Sequence, residues 1–340
     1  MHTLLLTCAG KSTRFPNYRP KWAITHPSGN LLAAEAIRGI RGYTRLVVVL
    51  REDHMESYGR ERIEHEFSLA GFKAEVVSVP ETGSQVETVL RALHHVSGVF
   101  TVKDCDNYFR LDLGGENSVA VVDLHTCGPM NAGNKSYAQV DGERVVHLRE
   151  KEIISATFCC GAYTFSSATH FLAGALTGQP EYLSQVMNNL CAAGEVVVAK
   201  SAQGYVDWGT EEDWQAYTRR FKTLFVDIDG VLCESSHRSF APAWGTTPAI
   251  AENVKAINAQ HETGAVEVIL TTSRGEFARA VTEEQLARAG LRYDRLIMGL
   301  RNCPRVLIND AESKRAEKTA FAVNLERDAP DLARLLRRDT

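Results

Sequence analysis

Leu4-Leu5-Leu6-Thr7-Cys8-Ala9-Gly10-Lys11-Ser12-Thr13-Arg14, with Pro20-Lys21 a short way on, is the stretch on which the reading of this chain turns. The apolar run reads as a strand, and the small and basic residues after it as a turn at the strand's carboxyl end. In open α/β sheets, ligands bind at that edge. A polyphosphate needs backbone N–H groups brought close by small residues, plus cations to offset its charge. Ala9, Gly10, Lys11, Ser12, Thr13, Arg14 and Lys21 offer both. A P-loop is excluded: Gly10-Lys11-Ser12 lacks the earlier glycine that Gly-x-x-x-x-Gly-Lys-Ser/Thr demands.

The chain around this loop is 340 residues long, which makes two domains the starting expectation. It is 44% hydrophobic and 24% charged, with a formal net charge of -4. That is an ordinary globular composition, and neither half is basic enough to call for nucleic acid. No apolar run approaches a membrane span, and Met1-His2-Thr3 leads straight into the strand, so a cytoplasmic protein is expected. The eight cysteines contain no C-x-x-C pair and read as buried free thiols rather than a disulfide or zinc framework.

Apolar runs rich in β-branched residues alternate with helical spacing, which predicts an α/β fold with crossover helices. Leu46 to Leu50, Ala74 to Val79 and Val99 to Val102 read as strands, with helices over Met55 to Ala70 and Gln85 to His94 between them. From Ser118 to Phe165 the helices thin out into a meandering sheet. A second alternation starts at Lys222-Thr223-Leu224-Phe225-Val226 after the charged helix Glu211 to Arg219. The expected domains are therefore 1–219 and 220–340.

Asp104-Cys105-Asp106 follows the strand Val99 to Val102, and Asp207-Trp208-Gly209-Thr210 opens the charged helix. Two carboxylates at i and i+2 around a bend can share a hard cation. Each acidic signal alone is also what an ordinary turn looks like. In order along the chain, however, five segments resemble the sugar-phosphate nucleotidylyltransferases of the Rossmann-like GT-A type. These are the opening loop with Lys21; Thr82-Gly83-Ser84-Gln85; Asp104 and Asp106; Glu150-Lys151 with Gly161-Ala162-Tyr163-Thr164-Phe165; and Asp207. The resemblance implies a mixed sheet, with Arg14 and Lys21 on the phosphates and Gly83 and Gln85 at the base. It implies Glu150, Lys151 and Gly161 at the acceptor, and Mg²⁺ on Asp104, Asp106 and Asp207. The chain departs from the pattern at Ser12, where a second glycine is common, and at Glu152, which replaces a proline.

In the second half, Leu224-Phe225-Val226-Asp227-Ile228-Asp229-Gly230-Val231 resembles the first motif of the haloacid-dehalogenase phosphotransferases. Asp227 is then implied as the nucleophile and Asp229 as the general acid–base. Thr271 or Thr272, ending the run Val268 to Leu270, is implied to hold the phosphoryl group. Arg301 or Arg305 stands where a lysine is common, and Asp310, after Val306-Leu307-Ile308-Asn309, is implied as a Mg²⁺ ligand with Asp227 and Asp229. The intervals between these motifs are too short for a full cap, so the expected architecture is two Rossmann-like domains, the second a capless parallel sheet.

Together the resemblances imply a bifunctional enzyme that moves a nucleotidyl group, with CTP or UTP favoured, onto a sugar phosphate or similar metabolite. Pyrophosphate leaves, and a fused Mg²⁺-dependent phosphatase serves the same pathway, such as surface-glycan or capsule precursor supply. The expected partners are the nucleoside triphosphate and the phosphorylated metabolite, with neither nucleic acid nor membrane, and a homo-oligomer is compatible. Three alternatives stay open: a degenerate phosphatase domain, a D-x-D glycosyltransferase, and a non-catalytic nucleotide-sugar sensor.

Overall fold

The computed structural model describes residues 1–16, 18–128, 131–236, 244–310 and 319–336. The chain forms two compact units, Met1–Tyr217 and Thr218–Thr340. The strands described in unit one are β1 (His2–Thr7), β2 (Ile40–Arg41), β3 (Arg45–Arg51), β4 (Ala74–Val79), β5 (Val99–Asp104), β6 (Asn107–Asp112), β7 (Ser118–Asp123), β8 (Ser136–Asp141), β9 (Arg144–Glu150), β10 (Thr157–Phe165), β11 (Val198–Ser201) and β12 (Gln203–Asp207). Unit two adds β13 (Lys222–Asp227), β14 (Val266–Thr271) and β15 (Arg295–Ile297).

Nine strands of unit one make a mixed sheet in the order β4-β3-β1-β5-β10-β7-β11-β9-β8. The β4-β3-β1-β5 portion is parallel, and β10 runs antiparallel to both β5 and β7. Strands covered on both faces must be apolar at every position, which is why the runs in β1 and β3 show no alternation. The pleat nonetheless sorts them: Leu5, Val47 and Val49 enter one core cluster, while Leu4, Leu6, Leu46, Val48 and Leu50 enter the other. Helices Gln85–Ala92, Ala168–Ala175 and Leu183–Ala192 cover the first face. Ala33, Ala34, Ile63 and Phe67, from Leu32–Ala36 and Arg60–Leu69, cover the second.

Met55 to Ala70, expected as one helix, is two, Glu52–Tyr58 and Arg60–Leu69. Gly59, at φ 77, breaks the run with a backbone conformation that a helix does not use. A smaller sheet, β12-β6-β2, carries the site. In it β12 runs antiparallel to β6, with Asp207 opposite Asn107. Strand pairing thereby brings the second acidic motif beside the first.

Unit two has a parallel three-stranded sheet in the order β13-β14-β15, with Asp227 opposite Thr271. Val226, Val268, Leu270, Val254, Ile257 and Leu286 form its core, the last three from helices Ala251–His261 and Arg279–Arg288. Val306 to Ile308, the apolar run that precedes Asp310, forms no strand. Those side chains are 82%, 60% and 90% exposed, and the segment carries no ladder hydrogen bonds. Local ties hold it instead, with the Asn309 amide donating to Thr319 Oγ1 at 3.1 Å. An apolar run becomes a strand only where a neighbouring edge takes its backbone groups.

Phe165 is fully buried, with its ring centroid 5.3 Å from that of Phe100 and 5.0 Å from that of Phe171. Truncation to alanine at such a site costs about 3–5 kcal/mol. Chemical denaturation of Phe165→Ala should show a loss of that size in the transition of unit one. A change below about 1 kcal/mol would contradict the packing described.

Candidate active site

The turn after β1 is fixed by a residue that is not the expected glycine. Ser12 sits at φ 53, the left-handed region that costs most residues about 1–2 kcal/mol. Its hydroxyl accepts the Lys21 backbone N–H at 2.9 Å, and its carbonyl accepts that of Phe15 at 2.9 Å. The serine thus closes the loop onto Lys21. Phe15, Ile24, Trp208 and Trp214 pack as a separate aromatic and aliphatic cluster, which ties the loop to the turn after β12. Gly10 faces open space, and Lys11 reaches out to Glu81 at 2.8 Å on the exposed rim.

Asp104, Cys105 and Asp106 form the bend between β5 and β6. Beneath it lies Lys103, wholly buried, donating to the Asp104 carbonyl (2.8 Å), the Asn107 carbonyl (3.1 Å) and Asn107 Oδ1 (2.5 Å). All three of its donors are used, and its ammonium lies 4.5 Å from the Phe109 ring centroid. Sequence reasoning missed this lysine, because it lies in a strand and belongs to no motif.

Above the bend, the Lys21 ammonium donates to Asp106 Oδ2 at 2.7 Å and to the Gly209 carbonyl at 3.0 Å. Arg14 lies 3.8 Å from the same carboxylate and keeps its side chain 55% exposed. Asp207 pairs with Lys135, which also donates to the Tyr205 hydroxyl at 2.9 Å. The Gln85 amide, expected at the base, instead donates to Asp104 Oδ1 and to Thr7 Oγ1 at 3.1 Å. The Gly83 N–H is taken by Glu87, three residues beyond the helix cap Ser84.

These contacts split the two carboxylates of the bend electrostatically. Burial raises Asp104, and the charge of Asp106 adds to it, to about 6. Burial also acts on Asp106, but Lys21, Arg14 and Lys135 outweigh it and hold that group well below its ordinary value.

Among the described residues, no three His, Cys, Asp or Glu side chains close into a metal cage. Mg²⁺ rarely needs one, since it takes one or two carboxylates and completes its shell with phosphate oxygens and water. A β-carbon at Gly209 would lie 3.0 Å from Asp207 Oδ1, 3.6 Å from Arg14 Nη1 and 3.8 Å from Asp106 Oδ2, so both carboxylates and the guanidinium converge on space that only glycine leaves open. That pair of hard oxygen donors fits Mg²⁺. Asp104 lines the same cavity, one residue removed from the convergence.

At the other end of the cavity, Glu150 accepts from the hydroxyls of Ser136 and Ser184, the latter at 2.7 Å. Lys151 donates to the Tyr182 hydroxyl at 2.8 Å. Gly161, at φ 94, is required for packing: a β-carbon there would run into Asp104 Oδ2 and lie 2.7 Å from Asn107 Nδ2. The cavity is about 670 Å³, and the opening loop, the turn before Gln85, both acidic motifs, Lys135, Glu150, Lys151 and Tyr182 all line it.

Unit two arranges its motif residues differently. Both oxygens of Asp229 are held by Arg274, whose side chain is fully buried, with Nε at 2.9 Å and Nη2 at 2.7 Å. The same guanidinium donates to Thr282 and Gln285. Both of its oxygens are thus engaged by a side chain of the fold, which opposes the acid–base role implied for it. Thr272 Oγ1 lies 3.4 Å from Asp229 Oδ2, whereas Thr271 turns its hydroxyl to the Val226 carbonyl at 3.4 Å. Asp227 meets Arg305 at 3.2 Å; burial raises its pKa, Arg305 opposes the rise and Asp229 adds to it. Arg301 and Asp310 lie exposed on the strandless segment, away from any ladder position.

No protein-family model matches the chain, and no curated protein matches it in sequence. Solved structures do share its fold. One, described as the nucleoside-diphosphate-sugar pyrophosphorylase from Vibrio cholerae RC9, matches at TM-score 0.51 and 19% identity, over 64% of this chain and 100% of that one. Another, the inositol-1-phosphate CTP transferase from T. maritima, matches at TM-score 0.52 and 16% identity, over 62% of this chain and 90% of that one. At such identities the likeness shows a shared mixed α/β fold.

The raised Asp104 gives a signed pH dependence. The native state binds a proton here that the unfolded state releases near its ordinary 3.8. The resulting stabilisation is complete below that value and is lost as pH rises through about 6. In metal-free buffer, Asp104→Asn should therefore gain on the wild type by up to about 3 kcal/mol between about pH 4 and pH 7. A stability difference independent of pH, measured by denaturant melts, would contradict this.

Proposed function

We propose that unit one transfers a nucleotidyl group from a nucleoside triphosphate, CTP or UTP favoured, to the phosphate of a small phosphorylated metabolite, releasing pyrophosphate. The observation that carries this reading is the Lys21 ammonium, fixed between Asp106 and the Gly209 carbonyl at the foot of a loop whose Arg14 stays open. Two donors of Lys21 are used, and the third is left for the α-phosphate and the oxygen that attacks it. Arg14 meets the β- and γ-phosphates that depart, and the backbone N–H groups from Ala9 to Thr13 line their path. The two structural neighbours, described as a sugar pyrophosphorylase and a CTP transferase, support the same chemistry.

The acceptor's phosphate oxygen is already deprotonated, so no general base is needed; the work is alignment and neutralisation of charge. Asp106 and Asp207 would hold Mg²⁺, which supplies the positive charge that a polyphosphate brings to such sites. Glu150, steadied by Ser136 and Ser184, presents hydrogen-bond acceptors to an acceptor bearing hydroxyls. Surface-glycan or capsule precursor supply is one setting for such a product.

For unit two, the bidentate hold of Arg274 on Asp229 favours a domain kept for structure over an active phosphatase. Both carboxylate oxygens are engaged by the fold rather than turned to a substrate. Turnover of p-nitrophenyl phosphate by the pure chain should be absent. Robust turnover that is lost in Asp227→Asn would restore the phosphatase reading.

For unit one, pyrophosphate should appear when CTP or UTP is combined with a panel of sugar and alcohol phosphates. Lys21→Ala should lower its rate by about 10²-fold or more with the fold intact by circular dichroism. Release of a nucleoside diphosphate from a supplied nucleotide sugar, with no pyrophosphate from CTP or UTP, would indicate a glycosyltransferase, and wild-type pyrophosphate release from the variant would overturn the role of Lys21.

A further inference from the structure

Two thiols stand side by side at the carboxyl edge of the main sheet. Strands β1 and β5 are parallel and in register as far as Thr7 opposite Asp104, so the next step sets Cys8 opposite Cys105. Cys8 is still held as a strand residue on its other side, where its backbone N–H donates to the Val49 carbonyl at 2.8 Å. The pleat sends Leu4, Leu6 and Cys8 to one face, and Cys105 packs against the same core cluster. The two side chains therefore project together, and their thiols share a hydrogen bond. Both line the cavity.

Neighbouring strands lie about 4.7–4.9 Å apart, and a disulfide spans Cα atoms about 4.4–6.8 Å apart. The pair is thus within bridging range while the sheet keeps its register. The nucleotidyl-transfer chemistry uses neither thiol, and the two differ in access. Cys8 is 1% exposed, whereas Cys105 is half-buried. Burial, and after it the hydrogen bond with Cys105, push the Cys8 thiol well above its ordinary value. Cys105 is the sulfur that a solute in the cavity meets first, and Cys8 is the one kept in reserve behind it. Their places in the chain matter as well. Cys8 directly precedes Ala9 and Gly10 of the opening loop. Cys105 stands between Asp104, which takes the Gln85 amide, and Asp106, which takes the Lys21 ammonium.

We propose that Cys8 and Cys105 are an oxidisable dithiol, which hydrogen peroxide converts reversibly to a disulfide joining the opening loop to the acidic bend. The Cys105 sulfur attacks the peroxide: an S–O bond forms, the O–O bond breaks, and the departing hydroxide leaves with the thiol proton as water. The Cys8 sulfur then attacks the resulting sulfenic acid: the S–S bond forms, the S–O bond breaks, and hydroxide leaves with the Cys8 proton as a second water. The two thiols lose two electrons and two protons, and the peroxide takes them. The second step is intramolecular, which offsets the low reactivity of a buried thiol. A dithiol reductant reverses the bond by exchange. Drawing the sulfurs together to about 2.05 Å displaces the loop and the bend against each other, and with them Lys21 and Asp106. The loss of pyrophosphate release expected from that displacement rests on the nucleotidyl-transfer reading; the disulfide itself does not.

The test treats the full chain, reduced and then freed of reductant, with hydrogen peroxide, blocks the remaining thiols and maps the digest by mass spectrometry. The peptides carrying Cys8 and Cys105 should be linked, and dithiothreitol should separate them. In Cys105→Ser no link should form at Cys8. In Cys8→Ser, Cys105 should instead run on to the sulfinic acid. The wild-type map and Cys105→Ser stand even where Cys8→Ser, altered in the core, fails to fold. Absence of the link at a peroxide dose that oxidises the exposed Cys303 overturns the proposal, as does a link from Cys105 to Cys160, which belongs to the same core cluster. Pyrophosphate release from CTP or UTP should fall by about tenfold or more in the linked chain and return with dithiothreitol. Undiminished release from the linked chain would overturn the coupling to the site. A mapped Cys8–Cys105 link in a chain that releases no pyrophosphate even when reduced would uphold the dithiol and count against the reaction instead.

Discussion

The site depends on one ion pair. The ammonium of Lys21, almost wholly buried, joins Asp106 to the carbonyl of Gly209. Three segments far apart in sequence, the opening loop, the bend after β5 and the turn after β12, meet at that nitrogen. A buried charge of either sign is tolerable only when paired, so neither Lys21 nor Asp106 could be buried here without the other. Lys103 performs the matching task from below, where it exhausts its donors on the backbone and side chain of the same bend. The acidic bend is thus held between two lysines.

That arrangement sets the electrostatics of the whole cavity. Five basic side chains and five acidic ones line it, so the protein alone is close to neutral there. A triphosphate entering such a site must bring most of its own countercharge. This matches a pair of carboxylates, Asp106 and Asp207, that converge beside Gly209 without forming a complete cage. Asp104 stands apart from the pair, with a pKa raised toward neutrality, and it is the Gln85 amide that steadies it.

Much of this was legible in the sequence where the signal is local. A small-residue turn after an apolar strand, an acidic pair after another, and Asp207 before a charged helix each declare themselves within a few residues. Contacts made by strand pairing do not. Lys135 finds Tyr205 and Asp207 from 70 and 72 residues away, and no motif marks it. Spacing also cannot say which way a side chain turns: Gln85 reads as a base contact, and its amide holds Asp104. The same blindness affects unit two. The D-x-D-G turn reads as a phosphotransferase motif, and nothing local in it tells that Arg274, 45 residues on, occupies both oxygens of Asp229. The apolar run Val306 to Ile308 reads as the lead into an acidic motif, but the sequence does not reveal that no strand edge receives it.

The central claim is that the oxygen of a bound phosphate attacks the α-phosphorus of a nucleoside triphosphate. Triphosphate labelled at the α-phosphorus and incubated with the chain, Mg²⁺ and a phosphorylated acceptor tests it most directly. The account predicts that the label moves into a diester-linked nucleotide product while the β- and γ-phosphorus leave together as pyrophosphate. Label recovered only in nucleoside mono- or diphosphate, with no acceptor-linked product, would contradict it.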